Sequence, residues 1–372
     1  MTSAIRIKEA GRQEKILVVQ TSFLGDVVLT TPLISEIKRR FPEACLTVLC
    51  KAQLKGLLEN HPDIDEVLTD DKGAGLRGLR NKAEELRQRG FTLAISPHKS
   101  FRTGLLLFLA GIPSRIGFRQ SAGWFFYHHR VEREQGCHDV ERNLSILRAF
   151  GIDPADCRRK FRFQGSPQVR AAVARTFEAF GVTKDRGKLL FGISPGSVWP
   201  MKRWDLRGYA NVIIALREKY ACQILLFGAP EDREIVTNLQ ELTGQRGIDL
   251  VGRFSLRELP SAIEWCDLFI GNDTGPMHIA VACGVPVVGI FCATTPSLGF
   301  YPYSSKAIVV GKQLHCRPCS SHGGLRCPLG TEDCIRLIRS EHVLNAVREL
   351  LDTKTHASVS EENSYLPHFM TL

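Results

Sequence analysis

The stretch from Asn272 to His278 joins a turn to a helix start and carries side chains that suit an anionic ligand. The apolar run before it predicts a buried parallel strand, and the residues after it predict a short helix. A helix N-terminus offers free N–H groups and a positive dipole end, both of which attract phosphate. Asp273 could accept a sugar hydroxyl, and Thr274, Gly275 and His278 share the same turn. Capping of the helix is the ordinary role of Asp273 and Thr274, and it is compatible with ligand binding by their neighbours.

Two further loops follow predicted strands and carry groups for a diphosphate and a ribose. The loop SPGSVWPMKRW contains the hydroxyls of Ser194 and Ser197 and the ammonium of Lys202, which could stabilise a diphosphate leaving group without a metal. It lacks the spacing of a P-loop. The loop FGAPEDRE offers Glu231 to ribose hydroxyls, although acidic residues are common in any first helical turn.

Asp26 stands in the loop after the first predicted strand, where the following helix dipole favours its charged form. It is a candidate general base, with helix capping as the alternative role. Its loop lacks the glycine fingerprint of dinucleotide-binding proteins. Lys99, Arg102 and Arg119 follow other predicted strands of the same half and could bind the phosphates of an anionic acceptor. Solvated surface charge is the alternative for each of these three.

Four cysteines lie close together near the C-terminus, at Cys316, Cys319, Cys327 and Cys334. The C-x2-C pair with two further thiols is compatible with a tetrahedral structural zinc site, and free thiols are the alternative. A catalytic metal is not expected, because four thiolates leave no open coordination position. Disulfides are disfavoured if the chain is cytoplasmic.

Strands and helices alternate along most of the chain, and this predicts an α/β protein with doubly wound parallel sheets. Residues 153–166 are polar and rich in arginine, which indicates a linker between two domains. We predict a disordered leader over 1–14, domains over 15–165 and 166–352, and a disordered tail over 353–372. Such sheets bind ligands beyond the carboxyl ends of their strands, so the two domains are expected to face a cleft.

The composition is that of a globular protein with an anionic partner. The chain has 372 residues, 44% hydrophobic and 24% charged, with a net charge of +10. The longest apolar run, Gly104 to Ile112, is too short to span a bilayer. The first residues lack the apolar segment of a secretory signal, and we therefore predict a cytoplasmic protein.

Several segments in a fixed order carry a family resemblance. They are ILVVQTSFLGDVVLTTPL, SPGSVWPMKRW, LLFGAPEDRE, LVGRFSLRELPSAI and GNDTGPMHIAVACGVPVVGIF, between residue 16 and about residue 300. Together they resemble glycosyltransferase family 9, the ADP-heptose:lipopolysaccharide heptosyltransferases. The segment SPHKSFRTGLLLFLAGIPSRIGF resembles the second heptosyltransferases of this family more than the first. The cysteine quartet departs from the family pattern, because many members lack it.

The resemblance implies a GT-B fold in which the N-terminal domain binds the acceptor and the C-terminal domain binds ADP-heptose. It implies inverting transfer of L-glycero-D-manno-heptose, as the second heptose, to the inner core of lipopolysaccharide, with no cofactor required for catalysis. Asp26 matches the proposed base of the family and Lys202 its diphosphate-binding lysine, while residues 273–278 match D-[ST]-G-x-x-H. Glu231 falls near the ribose-binding glutamate, with Asp232 as a rival. Charge and family together suggest peripheral association with the inner face of the inner membrane.

Three alternatives remain open from the sequence. A heptosyltransferase I, or a family 9 enzyme that transfers another sugar, would share these motifs. A nucleic-acid-binding protein with a zinc module would use the cysteines and the positive charge, but the basic residues are dispersed and lack interleaved aromatic pairs, so no nucleic acid is expected. An NAD-dependent oxidoreductase is disfavoured by the missing glycine fingerprint.

Overall fold

The computed structural model describes residues 14–163, 165–185, 187–356 and 365–371. The chain divides into two compact units, Met1–Gln164 and Gly165–Leu372. The predicted boundary after residue 165 lies beside this division. The predicted disordered leader falls outside the described residues except for its last residue, and so does the middle of the predicted tail.

The first unit is built on a six-stranded parallel sheet with the strand order β3-β2-β1-β4-β5-β6. Residues 16–19 of β1 are fully buried in its centre. The elements of this unit are, in chain order, β1 (Lys15–Val19), α1 (Leu24–Arg40), β2 (Cys45–Lys51), α2 (Lys55–Leu58), β3 (Glu66–Asp70), α3 (Gly75–Arg89), β4 (Leu93–Ser96), α4 (Phe101–Leu109), β5 (Ser114–Phe118), β6 (His129–Val131) and α5 (Asp139–Leu144).

The second unit is built on a seven-stranded parallel sheet with the strand order β13-β12-β11-β10-β7-β8-β9. Its elements are α6 (Pro167–Ala179), β7 (Leu189–Ser194), α7 (Leu206–Lys219), β8 (Cys222–Leu226), α8 (Arg233–Thr243), β9 (Ile248–Asp249), α9 (Leu259–Ile263), β10 (Leu268–Asn272), α10 (Gly275–Ala282), β11 (Val287–Phe291), β12 (Ala307–Gly311), α11 (Asp333–Arg336), α12 (Ser340–His356) and β13 (His368–Thr371).

Local sequence explains why these segments form. The central strands β10 and β11 are buried throughout, as expected for continuous apolar runs in a parallel sheet covered on both faces. On α3 the buried residues Leu79, Ala83 and Leu86 recur at helical spacing, so that one apolar stripe meets the sheet and the charged side chains face solvent. Gly90 then ends α3 in the left-handed region, at a φ of 68°, where glycine carries no steric penalty.

The C-terminal segment corrects the sequence prediction. Helix α12 continues to His356, beyond the predicted start of the disordered tail, and His368–Thr371 form β13 at the edge of the sheet. Strand β13 pairs in parallel with β12, from Ile308 opposite His368 to Gly311 opposite Thr371. A four-residue edge strand has little periodicity of its own and is stabilised by its neighbour. The sequence did not indicate that neighbour either, so the pairing could not be inferred.

All strand pairs in both sheets are parallel, which confirms the predicted α/β class. In each unit the carboxyl ends of the strands therefore meet at one edge of the sheet, and the loops that follow them lie side by side. None of the helices in the described ranges combines the length and the apolar character needed to cross a bilayer.

Candidate active site

A buried ion pair lies at the carboxyl edge of the second sheet. The Lys202 ammonium contacts Asp273 Oδ2 at 2.7 Å and donates to the Asp273 carbonyl at 3.1 Å. The side chains of Lys202 and Asp273 are 15% and 4% exposed. The Thr294 hydroxyl donates to the same carboxylate oxygen at 2.7 Å. Three loops, after β7, β10 and β11, thus hold one cation at a fixed position.

The N-terminus of α10 adjoins this pair. Thr274 precedes the helix, and its hydroxyl donates to the Asn272 carbonyl at 3.3 Å rather than capping the helix. Gly275 begins the helix and has no side chain, so a ligand can approach the backbone at this helix N-terminus. His278 is 3% exposed, and its Nδ1 is a buried atom with no hydrogen-bond partner among the described residues. Burial lowers the pKa of His278 to about 4, so the ring is neutral at physiological pH.

Asn272 organises this edge, and the sequence analysis assigned it no role beyond the turn. It is completely buried at the end of β10. Its amide donates to the carbonyls of Pro195 and Gly196 at 2.8 and 3.3 Å. Its oxygen accepts from the Trp204 backbone N–H at 3.1 Å and from the Tyr209 hydroxyl at 3.0 Å. The sequence does carry one indication of this role. An asparagine at the end of an otherwise apolar strand has two donor and two acceptor positions, and when buried it must find hydrogen-bond partners for them.

Ser194 ends β7, and Ser197 lies in the turn that Asn272 holds. Ser194 and Ser197 are buried, and the Ser197 hydroxyl accepts from the Trp199 N–H at 3.1 Å. Arg203 donates to the Ser197 carbonyl at 2.8 Å, which secures the far side of the turn. The structure therefore brings Ser194, Ser197 and Lys202 to one sheet edge.

Of the two acidic candidates after β8, Asp232 contacts this turn. A Cβ at Gly196 would lie 2.2 Å from the Asp232 carboxylate, so only glycine fits there. The Ala229 N–H donates to Asp232 at 3.0 Å, and burial raises the pKa of Asp232. Asp232, the rival position, thus lies against the turn after β7, while Glu231, which was predicted to bind the ribose, is exposed to solvent.

The loop with the cysteines packs on Lys202. A Cβ at Gly323 would lie 3.0 Å from Lys202 Cγ. The Gly324 carbonyl accepts from the Met201 N–H at 3.4 Å, and the ring of His322 stacks on Trp199 with centroids 5.8 Å apart. The cysteine-containing loop therefore packs against the segment that carries Lys202 and is not a separate module.

The structural zinc site at the cysteine quartet stays a prediction. Nowhere in the described ranges do three or more His, Cys, Asp or Glu side chains group so that they could hold a metal ion. The guanidinium of Arg317 interacts electrostatically with several of these thiols, and it donates to the carbonyls of Phe291 and Thr294 at 2.7 and 2.5 Å. Cys334 is buried in the core of the unit, while Cys327 is half-buried.

Asp26 lies at the carboxyl edge of the first sheet, in the first turn of α1. The helix begins at Leu24, so Asp26 belongs to the helix and not to the preceding loop, where it was predicted. Its Oδ2 accepts from the Ser22 hydroxyl at 3.0 Å and from the Phe23 N–H at 3.1 Å. The capping role is thus present, and the role of base stays a prediction.

A group of cations lies on the same edge as Asp26. Lys72 donates to the Thr21 carbonyl at 2.7 Å. Burial lowers the pKa of Lys99, whereas the Asp26 carboxylate is near enough to act in the opposite direction. Burial, followed by the charge of Lys72, lowers the pKa of His98 to about 4. The positive charge of these groups disfavours protonation of His98 and favours the binding of an anion at this edge.

The other two predicted acceptor residues already have acidic partners. Arg102 forms a bidentate ion pair with Asp70, which is 2% exposed. Arg119 lies 3.9 Å from Glu132, and both side chains are more than half exposed. Arg102 is therefore held by a buried carboxylate, and Arg119 is a surface residue. Lys99 has no ion-pair partner in the described part of the chain.

The arrangement can bind a diphosphate in the second unit and an anionic group in the first. The second unit supplies a rigid ammonium, a helix N-terminus and an unpartnered buried imidazole nitrogen. Such pre-positioned charges stabilise a leaving anion because little reorganisation is needed when charge develops. The first unit supplies the Asp26 carboxylate beside cations, an arrangement that suits a base next to an anionic group.

Comparisons with known proteins agree with this chemistry. The sequence pattern of glycosyltransferase family 9 (heptosyltransferase) matches residues 79–326. The chain is 26% identical over 310 residues to lipopolysaccharide heptosyltransferase 2 of Escherichia coli K12, covering 80% of this chain and 87% of that protein. It is 30% identical over 294 residues to lipopolysaccharide heptosyltransferase 3 of the same strain, covering 73% and 80%.

Solved structures are similar over nearly the whole chain. A glycosyltransferase of family 9 from Veillonella parvula superposes with a TM-score of 0.83 at 26% identity, covering 94% of this chain and 99% of that one. E. coli ADP-heptose lipopolysaccharide heptosyltransferase II superposes with a TM-score of 0.74 at 24% identity, covering 92% and 99%. At this identity, the second likeness concerns the fold alone.

Proposed function

The chain belongs to glycosyltransferase family 9, the heptosyltransferases, and on this premise we propose that it transfers L-glycero-D-manno-heptose from ADP-heptose to the inner core of lipopolysaccharide. The family resemblance predicted from the motifs and the assignment as a glycosyltransferase are thereby confirmed. The relatives named for lipopolysaccharide heptosyl transfer motivate the choice of acceptor. The likeness to heptosyltransferase 2 proteins favours addition of the second heptose.

The observation that carries the donor part is the buried Lys202–Asp273 pair beside the N-terminus of α10. Asp273 holds the ammonium by its carboxylate and its carbonyl, so Lys202 needs no rearrangement to meet a diphosphate. The unpartnered Nδ1 of His278 is a second polar group of the same edge. A buried polar atom without a partner is costly, and a ligand hydrogen bond would remove that cost.

In the proposed reaction Asp26 removes the proton from the acceptor hydroxyl as its oxygen attacks the anomeric carbon. The bond between that carbon and the diphosphate oxygen breaks, and ADP leaves with the electron pair. Attack from the face opposite the leaving group inverts the anomeric configuration. Lys202 and the helix N-terminus stabilise the charge on the departing diphosphate, which is the task a metal performs elsewhere.

Cellular placement is part of the proposal. An acceptor of this class is a membrane lipid, so the enzyme would act as a peripheral protein on the cytoplasmic face of the inner membrane. The positive net charge of +10 supports contact with an anionic lipid surface.

The test is a transfer assay with purified protein, ADP-heptose and two deacylated core acceptors, one without heptose and one with a single heptose, in the presence of EDTA. Transfer only to the mono-heptosyl acceptor is expected, with an inverted anomeric centre in the product. Transfer to the heptose-free acceptor would make the enzyme a first heptosyltransferase. Transfer to neither acceptor would refute the proposed acceptor, and loss of turnover in EDTA that returns with a divalent metal would refute the metal-free mechanism.

Lys202→Met tests the donor part, and Lys306→Met is the matched control, because Lys306 is an exposed lysine of the same unit. We expect ADP-heptose turnover to fall by about a hundredfold or more in Lys202→Met, as for other removed charge-stabilising groups, and to be unchanged in the control. Equal turnover of both variants would remove Lys202 from the mechanism.

A further inference from the structure

An exposed aromatic cluster lies on the first unit, outside the site described above. Phe101, Phe108, Trp124 and Phe125 are 48%, 51%, 46% and 50% exposed. Neighbouring rings touch, with centroids 6.0 Å apart for Phe101 and Phe125 and 5.9 Å apart for Trp124 and Phe125. A contiguous group of large exposed rings is unusual on a soluble surface and marks an interaction site.

The cluster is rigidly built. A Cβ at Gly104 would lie 2.9 Å from the Gly123 carbonyl, and one at Gly123 would lie 3.1 Å from the Phe101 carbonyl, so two glycines allow the turn at residues 124–126 to pack directly on α4. Phe126 fills the space beneath, 5.3 Å from Phe108 and 4.4 Å from Phe125. The outer rings therefore stand on a fixed base and do not collapse into the core.

Positive charge surrounds these rings. Residues 97–133 contain six Lys and Arg residues and one acidic residue, Glu132. Two of the six, Arg102 and Arg133, form ion pairs with Asp70 and Asp139, which lie outside this stretch. The Arg130 guanidinium lies 4.7 Å above the Trp124 ring. Lys99, Arg119 and Arg130 are exposed. Aromatic rings with exposed cations between them are typical of a surface that enters the headgroup region of an anionic bilayer.

The cluster adjoins the edge that carries Asp26. The Ala122 N–H donates to the Lys99 carbonyl at 3.0 Å, which ties the aromatic turn to the loop after β4. Lys99 in turn interacts electrostatically with Asp26. A bilayer that held the rings would therefore lie next to the edge assigned to the acceptor.

We propose that Phe101, Phe108, Trp124 and Phe125, with Arg130, Arg119 and Lys99, form the surface by which this enzyme docks on an anionic phospholipid bilayer. We call these seven residues the docking surface. The inference rests on the proposed function for its purpose, which is to bring the acceptor edge to a lipid-anchored acceptor. The rings enter the headgroup region, and the cations contact lipid phosphates.

The experiment measures sedimentation of the purified full chain with vesicles of phosphatidylglycerol and phosphatidylethanolamine, and with vesicles of phosphatidylcholine alone. Wild-type protein is expected to bind the anionic vesicles and to be released by raised salt. The double variant Trp124→Ser with Phe125→Ser is expected to bind about tenfold more weakly, because two interfacial rings are lost. Leu76→Ser is the matched control, since Leu76 is 83% exposed on the same unit and lies outside the docking surface.

A second measurement locates the contact. Brominated lipids are expected to quench the Trp124 fluorescence of bound wild-type protein, and Trp124→Phe is expected to retain binding while losing that quenching. Binding of the double variant that equals wild type, or quenching that persists in Trp124→Phe, would overturn the inference. A wild-type dimer that the double variant abolishes, without vesicle binding by either, would assign the surface to a second copy instead.

The two proposals fail separately. Vesicle binding needs neither donor nor acceptor, and the deacylated acceptors used to test transfer need no membrane. Normal turnover of the double variant on a deacylated acceptor is expected together with slower transfer to the acylated acceptor embedded in vesicles. Equal loss on both acceptors would show that the rings support the site and would overturn membrane docking.

Discussion

Replacing Asn272 by aspartate changes one atom of the side chain and inverts half of its hydrogen bonds. The amide now donates to the carbonyls of Pro195 and Gly196, at 2.8 and 3.3 Å. In Asn272→Asp a carboxylate oxygen would face both carbonyls. The bonds accepted from Trp204 and Tyr209 would remain, so the variant isolates the two donated bonds.

The expected loss of stability can be built from these contacts. Each of the two carbonyls left without a donor in the interior costs about 1–3 kcal/mol, or about 2–6 kcal/mol together. Burying the new charge adds a cost that the protein lowers by protonating the carboxyl. We expect Asn272→Asp to destabilise the second unit by about 3–5 kcal/mol at pH 8, a fall in Tm of about 10 °C.

The stability loss of Asn272→Asp should depend on pH, and the direction of that dependence tests whether a buried carboxyl is its cause. Burial at this position raises the pKa of the introduced carboxyl above its unfolded value of about 3.9. Between these two pKa values the native state binds more protons than the unfolded state, so the free energy of unfolding falls as pH rises. The penalty should therefore be small at pH 4 and grow by about 1.4 kcal/mol per pH unit until the native carboxyl ionises.

Urea denaturation followed by tryptophan fluorescence measures this, because the Trp204 indole N–H donates to the Ile338 carbonyl and its backbone N–H donates to Asn272. Each pH is compared with wild type at that pH. Asn272→Ala is the control, since it removes the same donors without adding a charge and should show a penalty independent of pH. A loss of stability in Asn272→Asp that does not change between pH 4 and 8, or a loss at pH 8 below about 1 kcal/mol, would refute the reasoning.

Three further predictions concern other parts of the site. Asp26→Asn should lower turnover by about 10²–10⁴-fold while ADP-heptose affinity stays unchanged, and near-normal turnover would exclude Asp26 as the base. Burial lowers the pKa of His278 to about 4. The free energy of unfolding should therefore fall by about 3 kcal/mol as pH falls from 6.5 to 4, because over this range the ring is protonated mainly in the unfolded state. His278→Gln should remove that fall in denaturation curves, and the same fall in the variant as in wild type would contradict the prediction. Arg317 donates to the Thr294 carbonyl and the Thr294 hydroxyl donates to Asp273, so we expect Arg317 to position the donor site. Arg317→Met should then raise the KM for ADP-heptose more than it lowers kcat, with partial rescue in Arg317→Lys and no change in Arg326→Met of the same loop. A fall in kcat alone would contradict this positioning role.

The sequence was most informative where function is local. The strand, turn and helix that carry Asp273 to His278 are contiguous, so their order and their side chains could be interpreted without a fold. The alternation of apolar runs and amphipathic helices likewise predicted parallel sheets, because burial on both faces demands such runs.

Predictions stayed open where a distant partner bears on the role of a side chain. Arg102 had the right type and place for an acceptor phosphate, but Asp70, from the end of β3, neutralises it. The four cysteines have a metal-like spacing, but their burial differs, from the buried Cys334 to the half-buried Cys316, Cys319 and Cys327. Spacing alone does not report which groups converge from elsewhere in the chain.

The sequence by itself determined the chemistry available: a helix N-terminus with Asp273 and His278, a lysine after β7, and a carboxylate at the start of α1. Only the tertiary structure decided that Lys202 and Asp273 pair, since the parallel order β11-β10-β7-β8 sets their loops side by side although 71 residues separate them. It also decided that Asn272 holds the turn that contains Ser197. Both outcomes depend on the desolvated edge of a sheet, where a charge or an amide must find its partner across strands.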